Sequence, residues 1–271
     1  MKRILIFGKG FFGQRLQEEF GCELTGKRIA SLQDAKSQIR KYKPQVIINC
    51  IGHRANNVDE CELDKEKTLF SNAFVPVILA EAAVRENVRF VHISSGCIYD
   101  FDYRRDKPIK EEAEPDFFGL FYSRTKIYAE QALKSLGKKY PILIVRPRIP
   151  LDDRPHARNL LTKLIKYGKV IDLANSVSYV PDFVKALKHL IEKNARGIYN
   201  VVNKGALRYQ ELLEVYRRHE PGFRYKVVSY KELGLVRSNL ILSVRKLEKS
   251  GFKMRDIHEV LEGCVKKYVQ Y

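Results

Sequence analysis

Through its first 150 residues the chain alternates short apolar runs with amphipathic stretches, an order that few architectures accommodate. RILIF, QVIINCIG after Pro44, VRFVHISS and PILIVRPR are rich in β-branched residues and show no regular polar alternate position. A strand with one wet face alternates polar and apolar side chains, whereas these runs suit strands buried on both faces of a parallel sheet. Between them FFGQRLQEEF, SLQDAKSQIRKY, NAFVPVILAEAAVREN and YSRTKIYAEQALKSL carry helical spacing. The order predicts a doubly wound α/β fold of the Rossmann type, with helices on both faces of the sheet. Further on the pattern loosens, and NLLTKLIKYGKVIDL, VPDFVKALKHLIEKN and YQELLEVYRRH read as helices between short strands such as GIYNVV. The expectation is a main dinucleotide-binding domain over residues 1–150 and a smaller substrate lobe over 151–271, some of whose elements return to the sheet. A chain of 271 residues, 45% hydrophobic and 30% charged, can bury cores of that size.

No apolar run approaches the roughly 20 residues needed to cross a bilayer. The apolar part of MKRILIFGKG is too short for a signal-peptide core and makes a better first strand. Five cysteines, at positions 22, 50, 61, 97 and 264, form no C-x-x-C pair and no metal-ligand spacing. They read as reduced thiols of a cytoplasmic protein with no metal site.

Gly8-Lys9-Gly10-Phe11-Phe12-Gly13 is a GxGxxG directly after a strand and at the opening of a helix. Glycines there permit a tight turn and close approach of backbone to a pyrophosphate at the helix N-terminus. An acid at the end of the second strand would hold the ribose hydroxyls of NAD. Here CELTG ends in Thr25, Gly26, Lys27 and Arg28, and those two cations suit the extra 2′-phosphate of NADPH. The expected cofactor contacts are Gly8, Gly10, Phe11, Phe12, Gly13, Lys27 and Arg28.

Tyr122-Ser-Arg-Thr-Lys126 is a YxxxK at the start of a helix, where i,i+4 spacing puts both side chains on one face. An ammonium beside a phenol favours the phenolate, so Lys126 is expected to lower the Tyr122 pKa. Ser95 lies upstream at a strand end. Ser, Tyr and Lys in this order, behind an N-terminal dinucleotide turn, resemble the extended short-chain dehydrogenase/reductase family. The resemblance implies that Ser95 and Tyr122 hold a substrate carbonyl or hydroxyl, that Tyr122 and Lys126 also contact the cofactor, and that Lys126 binds the nicotinamide ribose and tunes the tyrosine.

On that resemblance Cys97 would stand beside the same carbonyl, where a thiolate could take a proton from the adjacent carbon. GDP-fucose synthases carry a cysteine at this offset from the serine as an epimerisation base. Over nearly the whole length the chain resembles the plant-type nucleotide-rhamnose synthases, bifunctional 3,5-epimerase/4-reductases of UDP-4-keto-6-deoxyglucose. NVDECE, SGCIYDFD, KEEAEPDFFGLFYSRTK, RPRIP, ARNLLTKLIKYGKV, GIYNVVN and RSN carry that resemblance. It implies that Lys163 partners Cys97, that Arg158, Asn159 and Arg237 contact the substrate diphosphate or sugar, and that Asn49, Gly52 and Asn72 flank the cofactor. The chain departs from the family in a glycine loop one residue shorter than GxxGxxG and in the length of the segment around His53 and Arg54.

The formal net charge is +18, and residues 134–169 hold ten Lys or Arg against Asp152 and Asp153. Such a run would gather a nucleotide diphosphate, so the charge needs no nucleic acid. The expected function is an NADPH-dependent 3,5-epimerase/4-reductase that converts UDP- or dTDP-4-keto-6-deoxyglucose to the L-rhamnose nucleotide, with no membrane partner and with a homodimer allowed. Its rivals are a 4-ketoreductase without epimerase activity, or one making another 6-deoxysugar, and a non-catalytic NADP-binding regulator whose basic surface takes nucleic acid.

Overall fold

A computed structural model describes residues 2–54, 57–104 and 107–271. They divide into two compact units, the first comprising residues 1–98, 115–146 and 194–199 and the second residues 99–114, 147–193 and 200–271. The chain thus leaves the first unit for good only after two returns to it.

The first unit is built on β1 (Ile4–Phe7), β2 (Glu23–Thr25), β3 (Val46–Asn49), β4 (Arg89–Ile93) and β5 (Ile142–Arg146). Together with Gly197–Asn200 they form a six-stranded sheet in which that last strand is followed by β5, β4, β3, β1 and β2. The pairs β1–β2, β1–β3, β3–β4 and β4–β5 are parallel. Every residue of β1, β3, β4 and β5 is buried, which accounts for the lack of a regular polar alternate position in these runs. Leu5, Phe7, Ile47, Phe90 and Ile144 pack with Leu79, Ala80 and Ala83 of a covering helix, each large side chain stabilising the fold by roughly 1.5–3 kcal/mol. The strand order reverses between β1 and β3, and in such sheets ligands bind at that switch point, beyond the carboxyl ends of the strands. The glycine turn leaves β1 and the Cys50–Arg54 loop leaves β3, so both lie there.

The stretch expected as one long helix is broken in its hydrogen bonding. α-Helical Lys65–Leu69 and Val75–Arg85 flank a wide π-helical turn, Phe70–Phe74, in which the Val75 N–H reaches back to the Phe70 carbonyl. Pro76 has no N–H to give to Asn72, and such turns concentrate at functional positions. The whole run Lys65–Arg85 is, by length and composition, long and apolar enough to cross a bilayer, contrary to the expectation that no segment is. Half of its apolar window is packed inside the protein.

In the second unit a helix, Leu160–Tyr167, ends at Gly168 in the left-handed region (φ 59°). The next residues, Lys169–Ile171, turn into a strand paired with Lys226–Val228. NLLTKLIKYGKVIDL is therefore not one helix: the glycine stops it, and the β-branched Val170 and Ile171 suit a strand. Leu151, Leu161, Leu164, Leu212, Leu213, Leu261 and Val265 make this unit's core.

Candidate active site

Three glycines of the turn do different jobs. Gly8 has φ 106°, and a methyl group on it would press on the Cys50 carbonyl carbon and the Ile51 nitrogen at about 3 Å. A methyl group on Gly13 would lie 1.9 Å from the Gly8 carbonyl oxygen. One on Gly10 would meet nothing within 4 Å. The turn is thus closed on the protein side and open in front of the helix Phe11–Phe20, which no side chain caps. That is the cradle a pyrophosphate needs, and the residues fit a dinucleotide. The two ends of the turn give a test. Gly13→Ala should cost several kcal/mol and lower Tm sharply by differential scanning fluorimetry, whereas Gly10→Ala should leave Tm nearly unchanged. Equal Tm values for the two would contradict this geometry.

Lys27 and Arg28 are exposed after β2. The Lys9 side chain lies across Gly26, where a methyl group would meet its Cε at 2.8 Å. Lys9 was not among the sequence-derived candidates, since the middle residue of G-x-G carries no signal in the motif. Only the fold brings it against the end of the second strand, beside Lys27 and Arg28.

The loop after β3 is pinned from two sides. Asn49 Oδ1 accepts from the Ile51 N–H at 2.9 Å, and its amide nitrogen lies 3.1 Å from His92 Nδ1. Asn72, in the π-helical turn, accepts from the His53 N–H at 2.7 Å and donates to the His53 carbonyl at 2.9 Å and to Thr125 Oγ1 at 3.2 Å. Gly52 leaves room for Lys126: a methyl group there would sit 3.6 Å from Nζ and 3.2 Å from Asn72 Oδ1. Asn49 holds this loop to β4, and Asn72 holds it to the π-helical turn and to Thr125.

Ser95 and Cys97 follow the end of β4, and the Cys97 N–H donates to Ser95 Oγ at 3.1 Å. Tyr122 and Lys126 stand one turn apart on the helix Phe121–Gly137, with Nζ 6.0 Å from the phenol ring centre. Burial pushes the Tyr122 phenol up to about 12, Cys97 adds to the rise, and Arg54 and a hydrogen bond with the Ser95 side chain oppose it. Ser95, Cys97 and Tyr122 therefore share one small space. The lowering of Tyr122 expected from Lys126 is not what the structure shows: desolvation dominates and the phenol is raised. Lys126 is itself buried and is brought down to about 8, chiefly by desolvation, with Glu130 pulling the other way. Burial pushes the Cys50 and Cys264 thiols up as well, as expected of packing residues.

Lys163, Arg158, Asn159 and Arg237 belong to the second unit. Lys163 and Arg158 are half-buried, and both depress the pKa of His156, after its burial. The Arg158 N–H donates to His156 Nδ1 at 2.9 Å. Asn159 is completely buried and does another job than the one expected. Its oxygen accepts from the Asp152 and Leu161 N–H groups, and its nitrogen donates to the Asp152 and Arg154 carbonyls, so it caps the helix and fastens the preceding loop. No capacity is left for a sugar or phosphate. The half-buried Arg237 directs Nη1 to the Val236 carbonyl at 2.6 Å. The basic run is likewise not all surface: Arg146 and Arg148 are buried, the one held by Glu130 and the other by Asn175 and the Ser238 carbonyl.

A glycine turn at the switch point of a parallel sheet, with Ser95 just past the end of β4 and with Tyr122 and Lys126 on the helix Phe121–Gly137, defines a short-chain dehydrogenase/reductase of the extended type. The chain belongs to the RmlD substrate binding domain family, which matches residues 1–219. It is 31% identical to the bifunctional dTDP-4-dehydrorhamnose 3,5-epimerase/dTDP-4-dehydrorhamnose reductase of Arabidopsis thaliana, over 95% of this chain and 90% of that protein. It is 30% identical, over 96% of its length, to a trifunctional UDP-glucose 4,6-dehydratase/UDP-4-keto-6-deoxy-D-glucose 3,5-epimerase/UDP-4-keto-L-rhamnose-reductase of the same plant, and spans 41% of that protein. Among solved structures, the L780 UDP-rhamnose synthase of Acanthamoeba polyphaga mimivirus shares the fold with a TM-score of 0.89 at 23% identity, covering 98% of this chain and 99% of that one. The dTDP-4-dehydrorhamnose reductase of Bacillus anthracis, solved with NADP, gives 0.83 at 22% identity, with 99% of each chain covered.

Proposed function

We propose that this chain is an NADPH-dependent 4-ketoreductase of a nucleotide-linked 6-deoxyhexose that also epimerises C3 and C5, giving the L-rhamnose nucleotide from UDP- or dTDP-4-keto-6-deoxyglucose. One observation carries the reading: a thiol, Cys97, shares its space with the serine and tyrosine that suit a ketone oxygen. Gly8, Gly10, Gly13 and the first turn of the helix after them would hold the pyrophosphate, and Lys9, Lys27 and Arg28 the 2′-phosphate. Bound there, NADPH supplies the hydride that the 4-keto carbon accepts.

The 4-keto group acidifies the hydrogens on C3 and C5. Cys97, as thiolate, takes one of these protons, and Lys163 returns a proton to the opposite face of the carbon. Ser95 donates a hydrogen bond to the ketone oxygen, which polarises it in both reactions. Tyr122 gives its proton to that oxygen as the alkoxide forms, a role suited to a phenol that burial keeps protonated. Family membership and the plant relatives support the reductase, and the Cys97 geometry supports the epimerase.

The test is incubation of the protein with each ketosugar nucleotide and NADPH, with the sugar product identified by NMR. An L-rhamnose nucleotide is the expected product. An unepimerised 6-deoxyhexose would leave only the reductase, and no NADPH consumption with either substrate would overturn the reading. In the same assay NADPH should outperform NADH, and Lys27→Ala with Arg28→Ala should narrow that preference at least tenfold, a loss of about 1.4 kcal/mol of discrimination. Equal use of both cofactors by the unmodified protein would overturn the 2′-phosphate assignment.

A further inference from the structure

Beneath the reductase residues lies a pair of buried charges that the chemistry above does not use. Tyr122, Lys126 and Glu130 fall four residues apart, on one face of the helix Phe121–Gly137. Glu130 is 3% exposed and Arg146, at the end of β5, 2%. Arg146 clamps the carboxylate, its Nε lying 3.0 Å from both oxygens and its Nη2 2.5 Å from Oε2. Ser94 Oγ donates to Oε1 at 2.5 Å, and the Ser94 N–H donates to the Val145 carbonyl at 2.8 Å. Ser94 directly precedes Ser95. A buried ion pair stabilises a fold no better than well-packed apolar residues of the same volume, so stability alone does not call for this one.

We propose that Glu130, held in place by Arg146, is a positioning residue that keeps the Lys126 ammonium protonated inside the site and ties it, through Ser94, to the end of β4. This rests on the reading of Lys126 as a residue of the reduction. Among the described residues, six titratable groups face Lys126. Tyr122 and Glu130 come from its own helix, Cys50 from the end of β3, His92 from β4, Cys97 from the turn after β4, and Cys61 from the short helical turn Asp59–Glu62. Glu130 is the carboxylate among them, and it opposes the burial that brings Lys126 down to about 8. The sign follows. Removing the negative charge weakens the hold on the proton, so the midpoint falls. The ammonium form is then lost at a lower pH, and the high-pH limb of reduction moves down with it.

The midpoint can be read without cofactor or substrate, from the protein labelled with carbon-13 at lysine Cε. The Lys126 resonance is the one that titrates near 8 and vanishes in Lys126→Met. In Glu130→Gln it should titrate about one unit lower, and in Glu130→Asp, which keeps the charge, near its original place. If the single variant fails to fold, Glu130→Gln with Arg146→Met removes both buried charges together. It should still shift the midpoint down, by less, because Glu130 is the charge that acts most strongly on Lys126. An unmoved midpoint in the folded variant overturns the proposal. A midpoint that falls while Lys126→Met retains turnover supports the pair's hold on the proton and overturns instead the role of Lys126 in reduction.

Discussion

Tyr122→Phe should lower the rate of ketosugar reduction by about 10²–10⁴-fold, the range that a positioned general acid contributes. Burial holds the phenol near 12, so at neutral pH it carries its proton and can give it to the forming alkoxide. Phenylalanine keeps the ring and removes only the hydroxyl. The fold loses about 0.5–1.5 kcal/mol for one hydrogen bond with Ser95. Cofactor affinity, measured by quenching of NADPH fluorescence, should stay near that of the unmodified protein, since Lys126 and the glycine turn are untouched. The pH profile supplies a second check. With the phenol near 12 and Lys126 near 8, the high-pH limb of the reduction belongs to the lysine. Turnover that survives the phenylalanine would assign the proton to another group.

Cys97→Ala should abolish exchange at C3 and C5. Epimerisation needs no hydride, only a base and an acid on either side of an acidified carbon. In deuterated water without NADPH the unmodified protein should therefore put deuterium into both positions of the ketosugar, observed by NMR. The alanine variant removes the thiol next to the serine loop and keeps the loop itself, because the contact with Ser95 comes from the backbone N–H of residue 97. Lys163→Met should suppress net inversion more than exchange, if the ammonium returns the proton. Both variants keep Ser95, Tyr122 and Lys126, so slow direct reduction of the unepimerised ketone should persist in them. A Cys97→Ala protein that still makes the L-rhamnose nucleotide at full rate would reduce Cys97 to a packing residue.

Much of the first unit was legible in the chain because its signals are local. Ser31 followed by Asp34 makes a capping box that opens the helix Leu32–Tyr42, and Gly21 in the left-handed region closes Phe11–Phe20. The helix spacing of Tyr122 and Lys126 fixes their shared face whatever packs on it. Asn159 shows where that legibility stops. Its neighbours Arg158 and Lys163 share its segment, yet its four hydrogen bonds run to residues 152, 154 and 161 and consume the amide. RPRIP holds another such case. Ile149 takes φ 35°, a conformation a β-branched residue adopts only when its surroundings impose it, and nothing in its identity announces that.

The order of strands and helices, the glycine turn, and the succession of serine, cysteine, tyrosine and lysine were determined by the sequence alone. Each depends on spacing along the chain, and spacing of two, four or five residues is geometry as soon as a strand, a helix or a turn forms. The tertiary structure decided the rest. It set Lys9 across Gly26, turned Phe70–Phe74 into a π-helical turn that aims Asn72 at the loop after β3, and joined Glu130 to Arg146 beneath Lys126. It also decided that the tyrosine is held protonated when its lysine neighbour predicts the reverse. These outcomes turn on burial and on contacts between residues far apart in the chain, and desolvation of a charge is a property of the packed surroundings that no local pattern encodes.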